Sequence, residues 1–102
     1  MDLLTQKLGY QFKNSSLLVQ AMTHPSRASE HRNEPADNQR LEFLGDAVIQ
    51  VILTKHLYCS LPDRAEGSLT KIRASLVSKK ALASCARRLG LGEYLRLGKG
   101  EE

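Results

Sequence analysis

Between Asn38 and about Ser60 the sequence carries Leu41, Leu44, Val48, Val51, Ile52 and Leu57 at steps of three and four, with no proline among them. Steps of that size put apolar side chains on one face of an α-helix. This is the longest helical pattern in the chain. Asp37 or Asn38 supplies an N-cap, and Leu61-Pro62-Asp63 breaks the pattern at its far end.

Shorter patterns of the same kind flank it. Asp2 to Leu8 forms a short amphipathic turn or helix ended by Gly9, and Asn14 or Ser15 caps a helix through Met22, with Leu17, Leu18, Ala21 and Met22 at helical spacing. Thr23-His24-Pro25-Ser26 stops that helix, because a proline disfavours helical backbone at the residue before it. Residues 27–37 are polar, contain Pro35 and are expected to form an exposed loop. Glu66 to Ser78 is amphipathic, with Leu69, Ile72, Leu76 and Val77 inward. Ser78 then caps a helix whose Leu82, Cys85, Ala86 and Leu89 face a core, ending at Gly90. No alternating run of β-branched residues signals a strand, so the fold class is all-α. The sequence stops at Glu102 without a closing element, as though the fold continued.

A chain of 102 residues is one small domain or a piece of one, and it buries a modest share of its surface. Burial against a second copy is the expected supplement. Disulfides are not, since Cys59 and Cys85 lie among apolar residues with no secretory signal, and are expected as small buried hydrophobes in a reducing compartment. No Cys-x-x-Cys or paired histidine marks a thiolate metal site. No apolar run approaches the roughly 20 residues that span a bilayer, and the chain is expected to be soluble and cytoplasmic.

The net charge of +4 and pI near 9.3 lean towards a polyanionic partner. Distribution says more than the total. From Arg64 to Arg88 the basic residues Arg64, Lys71, Arg73, Lys79, Lys80, Arg87 and Arg88 face the single acid Glu66. Aromatic residues are too few for a platform that stacks single-stranded bases, whereas a duplex-binding surface needs mainly lysine and arginine.

Glu42 and Asp46 form a like-charged i,i+4 pair on the long helix, an arrangement that costs an isolated helix roughly 0.2–0.5 kcal/mol. Their apolar neighbours Leu41, Phe43, Leu44, Ala47 and Val48 place them near an expected core boundary, where burial adds to the cost of both charges. A divalent cation relieves both penalties, and magnesium takes hard oxygen ligands from one or two carboxylates together with water and phosphate. The alternative is a solvated acidic edge paired with Arg40 or Gln50. Gly45 shifts the balance. A glycine inside a helix costs about 1 kcal/mol relative to alanine, and is tolerated where a packed helix or a partner chain must come close.

The stretch Asn38-Gln39-Arg40-Leu41-Glu42-Phe43-Leu44-Gly45-Asp46-Ala47-Val48 resembles the signature of the ribonuclease III family. Met22 to Ser26, Glu66 to Val77 and Leu95 to Glu101 are similar to further blocks of that family in the expected order, so the resemblance covers essentially the whole chain. It implies a helical-bundle endonuclease domain, of which residues 1–102 are the N-terminal part. The family's second metal motif, an Asp-x-x-Glu on a later helix, and the double-stranded RNA-binding domain that often follows are absent from the sequence.

The resemblance further implies an endoribonuclease that hydrolyses double-stranded RNA with Mg²⁺, for which Mn²⁺ can substitute, leaving 5′-phosphate and 3′-hydroxyl ends. Glu42 and Asp46 become metal-site carboxylates, and Glu66 and Glu101 further acids of the active-site valley. Phe43, Leu44 and Gly45 become a homodimer contact. Lys71, Arg73, Lys79 and Lys80 are the candidates for contacts to the duplex backbone. Gln39 stands where many members carry an acid and is left out of the metal set. His24 is expected to be a structural hydrogen bonder. Two other readings remain: a catalytically incomplete RNA-binding or dimerisation module of the same fold, and a helical interaction domain unrelated to RNA.

Overall fold

The computed structural model describes residues 1–30 and 36–98. Its helices are α1 (Asp2–Leu8), α2 (Ser15–Ala21), α3 (Pro25–Glu30), α4 (Gln39–Ser60), α5 (Glu66–Leu76) and α6 (Lys79–Leu89), followed by a 3-10 turn at Leu91–Glu93. Among the described residues there is no strand beyond one isolated parallel bridge between Thr23 and Arg96. The expected all-α class and the order of elements hold.

Local chemistry sets most of the boundaries. Asn14 accepts from the Ser16 amide to cap α2, and Ser78 accepts from the Ala81 amide to cap α6. Gly9 and Gly90 end α1 and α6 in left-handed conformations, both at φ 66°, where a side chain is disfavoured. At the start of α4 the Asp37 carboxylate takes the Gln39 amide at 3.0 Å. Asn38 is used differently: its side-chain amide donates to the Ala21 carbonyl at 3.1 Å, fastening α4 to the end of α2.

One element departs from expectation. The stretch expected as loop from residue 27 begins inside α3, whose first residue is Pro25. Proline stops α2 as anticipated, but its fixed φ and missing N–H also suit the first position of a new helix. The His24 ring assists, its Nδ1 accepting the Ser26 amide at 3.1 Å.

The core is narrow. Leu4 of α1 and Leu18 of α2 pack with Met22, flanked by Phe12, Leu91 and Tyr94. The helix α5 folds back along the C-terminal half of α4 through the turn at 61–65, and Arg73 donates to the Thr54 hydroxyl at 2.8 Å across that pair. Leu57 is the buried apolar residue of α4.

The remaining apolar faces are not covered. Leu44, Val48, Val51 and Ile52 of α4 are exposed, and so are Leu76 of α5 and Leu82 of α6, contrary to the inward orientation expected of the last two. Cys59 and Cys85 are exposed as well, not buried. The helical periodicity is right, but no described element lies over these faces. The molecule is correspondingly elongated, measuring 52 × 28 × 22 Å, with a radius of gyration of 16.2 Å against about 13 Å for a compact domain of this length.

This division of the surface is testable by urea unfolding of the chain. Leu4→Ala, at a position with no exposure, should cost about 2–4 kcal/mol. Val51→Ala, at a position 68% exposed, should change stability by less than about 0.5 kcal/mol.

Candidate metal-binding cleft

The N-terminal half of α4 carries the acid pair. Glu42 lies in its first turn, where the positive end of the helix dipole favours a carboxylate, and Asp46 lies one turn further on without that benefit. Both side chains are exposed, not set at a core boundary as expected. Among the described residues neither has a hydrogen bond or ion pair through its side chain, so the compensation by Arg40 or Gln50 is not made. Two like charges therefore stand one turn apart with no counter-charge.

They share an open cleft of about 830 Å³ with Gln39, Phe43, Gly45, Ala47, Ile49 and, from α6, Leu82. The cleft thus has two carboxylates, one amide and an apolar wall. Among the described residues no third His, Cys, Asp or Glu joins the pair in a group able to enclose a metal ion. This donor set fits Mg²⁺, which is commonly held by one or two carboxylates while water and phosphate fill the remaining positions. It does not fit a structural zinc, which needs four protein ligands.

The other candidate residues fall elsewhere. Glu66 is exposed at the first position of α5 and lines a different cleft with Tyr58, Cys59, Leu61, Pro62, Arg64 and Leu69. That cleft is at the C-terminal end of α4, roughly 24 Å along the helix from Glu42 at 1.5 Å per residue. A single chain does not bring Glu66 to the acid pair. Glu101 lies outside the described residues.

Phe43 is 84% exposed and Leu44 is also exposed, beside Gly45. A Cβ placed on Gly45 would meet nothing within 4 Å, so among the described residues no packed helix accounts for the glycine. Lys71, Lys79 and Lys80 project into solvent, the last two from the first turn of α6. Arg73 is half-buried and uses a guanidinium nitrogen on Thr54, so part of its donor capacity holds α5 against α4. Sequence reasoning missed the hydrogen bonds joining residues 22–26 to Arg96 and Gly98.

The fold and the signature helix define an all-α domain built around one long helix that carries an acid pair. A family model described as Ribonuclease-III-like matches residues 14–102. The chain belongs to the ribonuclease III family. It is 50% identical to ribonuclease 3 of Caldanaerobacter subterraneus subsp. tengcongensis, over 97% of this chain and 43% of that protein. It is 53% identical to ribonuclease 3 of Desulforamulus reducens, over 97% of this chain and 41% of the relative. The chain thus spans less than half the length of these curated relatives. Among solved structures, a nuclease domain of ribonuclease III from Campylobacter jejuni superimposes with a TM-score of 0.87 at 40% identity, covering 96% of this chain and 65% of that one. That structure is described as having structural flexibility in a region involved in dimer formation.

An unpaired acid pair has a signature of its own. In metal-free solution at low salt, Asp46→Asn should stabilise the chain by roughly 0.2–0.5 kcal/mol, because it removes a repulsion within the helix. The gain should shrink in 1 M salt, where the Debye length is about 3 Å. Thermal unfolding at the two salt concentrations measures it.

Proposed function

We propose that the chain is the N-terminal part of a magnesium-dependent endoribonuclease that cleaves double-stranded RNA. The observation that carries this reading is the exposed, unpartnered pair Glu42 and Asp46 in a cleft on the signature helix of a ribonuclease III fold. Glu42 and Asp46 hold Mg²⁺, and Mn²⁺ can replace it. When bound, the cation neutralises charge on the scissile phosphate and activates the attacking water. The products carry 5′-phosphate and 3′-hydroxyl ends. Glu66 and Glu101 are further acids of the active-site valley, Glu66 standing within one chain at the end of α4 remote from the pair.

The chain's own residues bind and orient the duplex. Lys79 and Lys80 stand at the N-terminus of α6, where their charges add to the positive end of the helix dipole and attract phosphate. Lys71, on α5, extends this basic surface, and Arg73 contributes the donors it does not spend on Thr54. Such contacts read backbone shape and charge, as suits A-form RNA.

Two chains associate through the α4 face at Phe43, Leu44 and Gly45, which supports a homodimer. Exposed aromatic and aliphatic side chains there flank a glycine that lets another backbone approach closely. A second reading, an RNA-docking module that does not cut, is favoured for the 102-residue chain alone by the lack of a third metal-binding side chain beside the pair among the described residues.

Incubation of the chain with long double-stranded RNA in Mg²⁺, beside an Asp46→Asn control, separates the two. Cleavage lost in the control supports a site sufficient in this chain; salt-sensitive binding without cleavage supports the docking module. Absence of duplex binding contradicts both readings. Replacing Lys79 and Lys80 by alanine should lower the slope of log affinity against log salt by about 1–2, at any RNA sequence.

A further inference from the structure

Among the described residues that line the acid cleft, Leu82 alone comes from outside α4. Its place there fixes which way α6 faces. Side chains turn through about 100° per residue of helix, so Lys79, three positions earlier, lies about 60° from Leu82 and nearly one turn closer to the start of α6. Ala86 and Leu89 fall within about 40° of Leu82 and are half-buried. One stripe of α6 therefore runs from its packed end at Leu89, past the cleft wall at Leu82, to Lys79 at the rim. Lys80, two positions before Leu82, lies about 160° round the helix, on the face turned away from the cleft.

Both ends of α6 are anchored, so the fold sets this orientation. The Ser78 hydroxyl accepts the Ala81 amide at 3.1 Å and donates to the Ser75 carbonyl at 3.1 Å, which ties the cap to the end of α5. Beyond the other end, Leu91 and Tyr94 pack against Leu4, Leu18 and Met22, and the Lys7 ammonium lies 5.4 Å from the centre of the Tyr94 ring. Lys79 thus starts from a fixed backbone. Its exposed ammonium makes no hydrogen bond or ion pair among the described residues.

We propose that Lys79 belongs to the acid cleft and holds the phosphate that lies over Glu42 and Asp46, whereas Lys80 serves affinity for the duplex at large. The inference rests on the reading of Glu42 and Asp46 as a divalent-metal site for phosphodiester cleavage. A backbone seated there meets the acid pair on the α4 side, and Leu82 and Lys79 on the α6 side. Leucine cannot replace the water that a phosphate oxygen gives up on entering the cleft. The Lys79 ammonium can, as a compact charge with three donors on a flexible four-carbon stem. Its sign is opposite to that of the pair, so it also offsets part of the repulsion between phosphate and carboxylates.

The test is single-turnover cleavage of double-stranded RNA by the full-length protein in saturating Mg²⁺. Lys79→Ala should lower the rate at saturating RNA about tenfold, and Lys79→Arg, which keeps the charge, should recover most of it. Lys80→Ala should act chiefly on the RNA concentration that gives half the maximal rate. Arg87→Ala, which removes a charge from the far end of α6, should leave the saturated rate unchanged. A second readout needs neither RNA nor cleavage. When the isotopically labelled protein is titrated with Mn²⁺, the Leu82 methyl and Lys79 ε-methylene signals should broaden after those of the α4 cleft residues, while the Lys80 ε-methylene stays sharp. Equal loss of saturated rate in Lys79→Ala and Lys80→Ala, or equal broadening of the two lysines, overturns the proposal. Failure of the unsubstituted protein to cleave overturns the functional reading instead, and the broadening still decides whether Lys79 belongs to the cleft. Absence of Mn²⁺ binding at the pair overturns both.

Discussion

The helix α4 carries two carboxylates one turn apart without a counter-charge, and much of the molecule is arranged around it. Its first turn is fastened to α2 through Asn38, and its C-terminal half is braced by α5 through Arg73 and Thr54. Both ends are thus anchored, although Glu42 and Asp46 repel each other and Gly45 weakens the helix between them. Propensity alone argues against this stretch as a rigid platform. Tertiary contacts at its two ends make it one.

The same helix explains the shape of the molecule. Its apolar flank has no cover among the described residues, so α4 stands clear of the small core formed by α1, α2 and the 3-10 turn. A contiguous apolar face of this kind marks an association surface. The acid pair has exposed apolar neighbours of its own, because Phe43 and Ile49 line the cleft that holds Glu42 and Asp46. Whatever covers Phe43 and Ile49 also shapes the cleft.

How legible this was depended on the range of the interaction. Helix boundaries follow from local chemistry: Asn14, Ser78, Gly9 and Gly90 act within a turn of their own positions, and all are visible in the sequence. The acid pair was equally visible, since a four-residue spacing fixes a common helix face. Burial was not, because periodicity says which face is apolar and not what covers it. That is why Leu76, Leu82 and Cys85, expected inward, are exposed. The position of Glu66 relative to the pair is hidden for a related reason. Its place in the chain does not reveal that the turn at 61–65 puts it at the far end of α4 from Glu42. The bond from Gly98 to Ser26 spans 72 positions, and no local pattern announces it. Pro25 carries two meanings, stop and start, and only the first was taken.

The central claim is that Glu42 and Asp46 form a divalent-metal site, and paramagnetic Mn²⁺ titration of the isotopically labelled chain tests it most directly. Amide resonances of Gln39 and of residues 42–49 should broaden first, with that of Tyr58, roughly 24 Å along α4 from Glu42, staying sharp. Asp46→Asn should abolish the effect. Broadening centred on α5 or α6, or spread evenly over the surface and indifferent to Asp46→Asn, would contradict the account.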